Sequence, residues 1–172
     1  VTQPDFDSLV GAHSAEIFAY LWRMVRDEAD AEDCLQEAFL RAYRAYGRLD
    51  GRAHHRAWLY RIATNVALTH LKRRGREAGR TTPLLPELPD ADPSPDEVEN
   101  PLQGAALQRE TLAAVTEAVE RLPAQQRAAL ILRKYHDLSY AEIAETLQCS
   151  KEAARANVYQ ALKRLRKELG EA

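Results

Sequence analysis

The sequence predicts an all-α chain: two small helical domains joined by a Pro-rich acidic linker. Three observations predict it. Apolar residues recur at steps of three and four in each periodic segment, the spacing of a helix with one buried face. The 8 prolines cluster late, where a protein of many turns would spread them. The net charge of −2 is distributed in blocks: −5 over residues 1–50, +7 over 51–80, −8 over 81–120 and +4 over 121–172. Two basic blocks separated by an acidic one point to two surfaces that face polyanions.

The 172 residues suffice for one ordinary domain or two small ones, and 45% apolar content is compatible with packed cores. Cys34 and Cys149, far apart and without a C-x-x-C pair, read as reduced thiols of a cytoplasmic protein. No apolar run approaches the ~18 residues of a membrane span, and the acidic start lacks a signal-peptide pattern. No membrane insertion is expected.

The N-terminal domain, residues 1–74, reads as a bundle of three helices. Over 5–26, Phe6, Val10, His13, Ile17, Tyr20 and Met24 form one buried stripe, with Leu9 and Leu21 beside it. His13 reads as a packed histidine, since no second metal ligand lies at helical spacing. Asp30 reads as the N-cap of a second helix, with Glu32 and Asp33 suited to the dipole of its first turn. Leu35, Phe39, Tyr43 and Tyr46 predict its buried stripe, and Gly47 its end. Asp33, Gln36, Glu37, Arg41 and Arg44 occupy its other face. From charge pattern alone that face is either solvated or a docking surface.

A Gly/Arg/His loop, GRLDGRAHH, spans 47–55. The adjacent His54 and His55 have no accompanying ligand set, so no metal is expected. A third helix over 56–74 has Leu59, Ile62, Ala63, Val66 and His70 on its buried side. Trp58, Tyr60, Arg61, Asn65, Lys72, Arg73 and Arg74 make up the rest. Aromatics and an amide among cations suit single-stranded nucleic acid: bases stack, amides bond base edges, cations neutralise phosphates. The bland alternative, a core Trp58 and a solvated basic helix end, stands level with this one.

Residues 75–103 read as the linker. Five prolines lie between Pro83 and Pro95, with Pro101 beyond and an acidic second half. Prolines remove backbone donors and like charges repel; at ~3.3 Å per residue the segment reaches at most ~95 Å.

The second domain, 104–172, opens with Leu112, Val115, Val119 and Leu122 at helical steps. Pro123 ends that helix and is expected at the first position of the next, which carries Ala128, Ile131 and Tyr135. Ser139 and Glu142 form a capping box for a helix burying Tyr140, Ile143 and Leu147. Ser150 caps a last helix burying Ala154, Val158, Leu162 and Leu165. A short helix, a tight turn and a longer basic helix describe a helix-turn-helix. The small Ala144 lets its helices cross closely. The expected exposed face of the second helix offers Lys151, Glu152, Arg155, Asn157, Tyr159, Gln160 and Lys163, side chains suited to base edges and phosphates in a major groove. A plain helical hairpin is the alternative.

Taken together, DAEDCLQEAFLRAYRAY, WLYRIATNVALTHLKRR and LPAQQRAALILRKYHDLSYAEIAETLQCSKEAARANVYQALKRLRK resemble the extracytoplasmic-function (ECF) sigma factors, small promoter-specificity subunits of bacterial RNA polymerase. They resemble, in order, the region 2 polymerase-binding helix, the promoter-melting helix and region 4. The resemblance implies a non-enzymatic factor without cofactor or metal. Its partners would be core RNA polymerase through the β′ clamp and β flap, promoter DNA, and a cognate anti-sigma factor. It assigns core binding to Asp33, Gln36, Glu37, Phe39 and Arg41. It assigns the −10 element to Arg52, His54, His55, Trp58, Tyr60, Arg61, Asn65, Lys72, Arg73 and Arg74. The −35 element would fall to Ser150, Lys151, Glu152, Arg155, Asn157, Tyr159, Gln160 and Lys163. Family members often have Gly where Gln148 stands. A non-Gly residue in the left-handed conformation costs ~1–2 kcal/mol, which leaves room for a differently shaped turn. Ala156 and Asn157 also depart from the family pattern.

Two other readings compete. A stand-alone helix-turn-helix regulator would bind duplex tightly without polymerase. A sigma mimic that titrates an anti-sigma factor would not need Arg61, Lys72, Arg73 and Arg74 for DNA. No phosphate loop, nucleophile elbow or metal-ligand set supports an enzyme.

Overall fold

The computed structural model describes residues 3–51, 54–77 and 109–170. Among them are seven helices and no strand: α1 (Phe6–Val25), α2 (Glu28–Tyr46), α3 (His55–Glu77), α4 (Arg109–Glu120), α5 (Ala124–Tyr135), α6 (Tyr140–Leu147) and α7 (Lys151–Glu168). The expected linker, from residue 78 on, and the expected start of the second domain near Gly104 lie outside the described residues.

α1, α2 and α3 pack on one another, as do α5, α6 and α7, with α4 against α7. The two groups are not held apart. α6 and the end of α5 rest on α3, and α5 also touches α1. One apolar cluster runs from Leu9 and Tyr20 through Ala63 and Leu138 to Leu165.

Local chemistry sets the boundaries. Asp5 caps α1 by accepting from Ser8 N–H, and Arg26 closes it in the left-handed region at φ 58. α2 starts earlier than expected. Asp27, not Asp30, is the N-cap and accepts from the Asp30 N–H. Asp30 instead reaches α3, where it lies 3.2 Å from His70 Nε2 and 3.4 Å from Arg74 Nη1. The buried stripe of α2 is also rotated from the expected one: Ala31, Cys34, Ala38 and Ala42 are buried. Leu35, Phe39 and Tyr46 flank the core, and Tyr43 is 66% exposed. Small side chains let α2 lie close to its neighbours, which turns its bulk outward.

α3 continues three residues past the expected end at Arg74. Pro123 is the N-cap of α5 rather than its first residue. Leu112, expected inside, is 54% exposed; Val115 and Ala118 make the buried side of α4, and Leu122 is buried just beyond its end. The α6 capping box forms as expected: Ser139 N–H donates to Glu142 at 2.7 Å and Glu142 N–H to Ser139 Oγ at 3.2 Å. Ser150 accepts from Ala153 N–H at 3.0 Å to open α7. Both cysteines are free. No helix among the described residues is long and apolar enough to cross a membrane.

Candidate nucleic-acid and polymerase interfaces

Three surfaces carry the residues of interest. On α2, Asp33, Gln36 and Arg41 are exposed, while Glu37 and Phe39 are half-buried. Arg41 Nε donates to Glu37 at 2.7 Å, which fixes this pair on one ridge. Leu40 and Tyr43, 51% and 66% exposed, stand on the same helix. The sequence reading missed them as surface residues because Tyr43 keeps step with the large apolar residues. A cavity of about 410 Å³ beside this ridge is lined by Asp33, Glu37, Arg41, Thr69, His70 and Arg73.

On α3, Arg61 and Asn65 are exposed one turn apart, and Lys72, Arg73 and Arg74 are exposed near its end. The Lys/Arg end also suits the negative end of the helix dipole. Arg74 is tied back: its Nη1 donates to the Val25 carbonyl at 3.3 Å as well as facing Asp30. His54 is exposed; His55 and Trp58 are half-buried, with the Trp58 ring 6.0 Å from that of Tyr46. Arg52 lies outside the described residues.

Tyr60 corrects the expected exposed set. It is 0% exposed, its ring sits 5.3 Å from Tyr20, and no base can stack on it here. Its hydroxyl donates to Glu16 Oε2 at 3.1 Å and lies 3.0 Å from His136 Nδ1. With that proton given to Glu16, neutral His136 supplies its own Nδ1–H to Tyr60, and Nε2 is left buried without a partner. A second proton would have no acceptor there. Burial first, then the Arg23 charge, push His136 down to about 4. Burial works to raise Glu16, but the His13 hydrogen bond and the Arg56 charge outweigh it and hold its carboxyl below the ordinary value.

On α7, Ser150 sits at the cap, and Lys151, Glu152 and Lys163 are exposed. Arg155 is half-buried, with its guanidinium 5.2 Å from the Tyr140 ring centre; Tyr159 and Gln160 are also half-buried. Asn157 is the second correction: at 8% exposure it faces inward, one residue before the buried Val158. The turn into α7 does use the left-handed conformation. Gln148 adopts φ 55 and ψ 47, its N–H bonding the Ala144 and Glu145 carbonyls. The half-turn of hydrogen bonds therefore outweighs the strain of a side chain at that φ.

The halves meet through these surfaces. Arg56 Nη2 donates to the His136 carbonyl at 2.9 Å. With its amide oxygen turned toward α3, Gln148 accepts from Arg61 Nε at 2.9 Å. Arg127 Nη1 donates to the Met24 carbonyl at 2.9 Å, Arg26 pairs with Glu120 at 3.2 Å, and Arg23 lies 4.5 Å over the Tyr135 ring.

Comparison with known proteins finds a family match in each half. Sigma-70 region 2 matches residues 9–77 and sigma-70 region 4 matches residues 112–165. The chain is 37% identical over 166 residues to the RNA polymerase sigma-H factor of Pseudomonas aeruginosa, covering 95% of this chain and 86% of the relative. It is 32% identical over 161 residues to the ECF RNA polymerase sigma-E factor of Escherichia coli, covering 92% and 83%. Against the ECF RNA polymerase sigma factor SigE of Mycolicibacterium smegmatis it is 32% identical over 170 residues, covering 95% of this chain and 61% of that one. The fold is similar to that of the sigma factor RpoE, solved with the anti-sigma factor NepR from Bartonella quintana. The TM-score is 0.70 at 23% identity, with 96% of each chain covered. It is also similar to CnrH solved with the cytosolic domain of CnrY, with a TM-score of 0.66 at 23% identity, covering 94% of this chain and 85% of that one.

Proposed function

The chain belongs to the ECF sigma factors of the sigma-70 family, which direct promoter-specific initiation by RNA polymerase, and we propose that its three surfaces divide that work. The outer ridge of α2, with Asp33, Gln36, Glu37, Phe39 and Arg41, docks on the β′ clamp. Exposed Leu40 and Tyr43 add the apolar area that such a ridge needs, since surface charge pairs alone contribute little. The α3 face and the loop before it hold the melted −10 strand: Asn65 bonds a base edge, Trp58 offers a ring, and Arg61, Lys72, Arg73 and Arg74 meet phosphates. α7 enters the −35 major groove with Lys151, Glu152, Arg155, Tyr159, Gln160 and Lys163. The second half also meets the β flap.

The observation that carries this reading is a juxtaposition. A docking ridge and a basic, amide-bearing helix lie side by side, with a capped helix-turn-helix following them. The functional halves are residues 1–74 and 104–172, with 75–103 as the connecting segment. The protein works in the cytoplasm, performs no catalytic step of its own, and is held in reserve by an anti-sigma factor, as the relatives solved with such partners suggest.

Run-off transcription with purified core bacterial polymerase on a promoter library tests this reading. Specific initiation is expected; its absence with folded, inhibitor-free protein overturns it. Glu37→Lys should weaken core binding about tenfold or more, on the scale of a buried or rim charge reversal at a hot spot. Asn65→Ala should impair use of the −10 element with core affinity unchanged; a change in stability alone would make Asn65 a structural residue.

A further inference from the structure

We infer that Tyr140, the first residue of α6, is a positioning residue for the −35 contact. Its ring holds the Arg155 guanidinium of α7 in the orientation that meets DNA, so part of the reading face is set by a side chain outside it. The inference rests on assigning the −35 role to α7, and adds to that reading what aims one of its side chains.

Arg155 lies on the outward stripe of α7. Glu152, Arg155, Tyr159 and Lys163 follow at steps of three, four and four, which places them on one face, while Ala154, Val158, Ala161 and Leu165 are buried on the other. Its chain neighbours Ala156 and Asn157 are buried as well. Arg155 is also the one arginine between Lys151 and Lys163. A guanidinium can fork onto the O6 and N7 of a guanine, where a lysine offers only a point charge. Arg155 Nε is buried without a hydrogen-bond partner, which leaves the two Nη groups as the donors it can offer outward. The guanidinium rests over the Tyr140 ring, 5.2 Å from its centre.

That ring is itself held from two sides. Ser139 and Glu142 fix the first turn of α6 through the capping box. Arg133 lies over the same ring at 4.4 Å, and its Nη1 donates to the Leu138 carbonyl at 3.1 Å. Arg133 is thus the anchored cation and Arg155 the outer one. Like charges repel, so the anchored cation keeps Arg155 from settling deeper. A free arginine samples many rotamers, and ordering them on binding costs affinity. Over a fixed ring, Arg155 has given up that freedom before DNA arrives. Stacking engages the flat face of a guanidinium, whereas bonds to guanine or phosphate use its edge, so one contact does not displace the other.

The first test needs no DNA. In the full chain labelled with ¹⁵N, the Arg155 Nε–H resonance is assigned by its loss in Arg155→Lys. A rigid side chain is expected from its heteronuclear NOE with Tyr or Phe at position 140, and a mobile one in Tyr140→Leu. An Arg155 signal that is mobile in the unsubstituted protein, or that Tyr140→Leu leaves unaltered, overturns the inference.

The second test titrates holoenzyme, reconstituted with the full chain, onto the fluorescein-labelled promoter duplex that the unsubstituted protein selects from the library. Tyr140→Leu should weaken binding about threefold to tenfold, the range of one cation–π contact, and relax sequence preference within the −35 element. Tyr140→Phe should restore both. In an Arg155→Met background Tyr140→Leu should add nothing, because a residue that acts through another loses its effect with it. Urea midpoints check folding, and Tyr140→Met takes the place of Tyr140→Leu if that variant does not fold. An equal loss with and without Arg155 would make Tyr140 a structural residue and overturn the inference. Tighter binding in Tyr140→Leu would do the same, since the ring would then be holding Arg155 away from DNA. If Arg155→Met weakens binding and Tyr140→Leu does not, the inference falls while the −35 role of α7 stands. If Arg155→Met changes nothing, the −35 assignment of Arg155 falls and takes the inference with it.

Discussion

His136 is the residue whose protonation the fold resists most visibly. Its ring is 8% exposed and meets Tyr60, Tyr20 and the charges of Arg23, Arg56, Glu16 and Asp137. In the unfolded chain the imidazole takes up a proton near 6.5, whereas in the folded protein it does so only near 4. Between these values the unfolded state binds the extra proton, so stability rises with pH through that window and levels off above it. At ~1.4 kcal/mol per unit the ceiling is about 3 kcal/mol. The urea midpoint of the wild type should therefore fall from pH 7 to pH 5, and His136→Ala should lose that part of the slope. An equal slope in both would place the proton uptake elsewhere. Nothing near His136 in the chain signals this environment; Tyr20 and Tyr60 reach it from positions 116 and 76 residues away. Tyr60 suits a DNA face by its neighbours Arg61 and Trp58, but Tyr20 and Glu16 of α1, with His136 of the other half, enclose it.

At the scale of single helices, legibility followed side-chain size. α7 was readable because Val158, Leu162 and Leu165 are large and in step, and its Ser150 cap is a local signal. Removing that cap with Ser150→Ala should lower unfolding stability by about 1 kcal/mol, measured as a shift in urea midpoint. α2 was misread by one position because its buried side is alanine and cysteine. A small stripe gives a weak periodic signal, and the louder Leu35, Phe39 and Tyr43 drew the expected face toward themselves. The packing makes the correction checkable. Ala42 is 0% exposed, so Ala42→Leu should cost about 1–3 kcal/mol by overpacking against α1 or α3. Tyr43→Ala, next to it in sequence but exposed, should cost far less stability while reducing core affinity. Asn157 has the same origin as the α2 error. It is a polar residue whose inward direction depends on the phase of α7, not on its own chemistry.

Across the whole molecule, the two halves meet through contacts that no local pattern predicts. Arg127 is the clearest. Its guanidinium donates to the Met24 carbonyl of α1 and also to the Glu120 and Leu122 carbonyls beside its own helix. Burial penalises its charge, and Glu120 offsets part of that. A lysine cannot fork to three carbonyls in this way. Arg127→Lys should turn a single heat-absorption transition into two, one for each half; a single unsplit transition would mean the apolar cluster alone couples them. The alternating charge blocks predict two polyanion-facing surfaces; exposed cations do stand on α3 (Arg61, Lys72, Arg73 and Arg74) and on α7 (Lys151 and Lys163). The blocks could not foretell that the acidic groups of one half, Glu120 and Glu142, would lie against cations of the other. A last consequence belongs to α3. From Arg61 to Arg76 the helix rises about 22 Å at 1.5 Å per residue, the length of between six and seven stacking steps at ~3.4 Å each. The helix is in effect a gauge. On the −10 role proposed for α3, a strand laid along it would meet a cation at each end, and the reach of the segment it holds would be set by the length of a single helix.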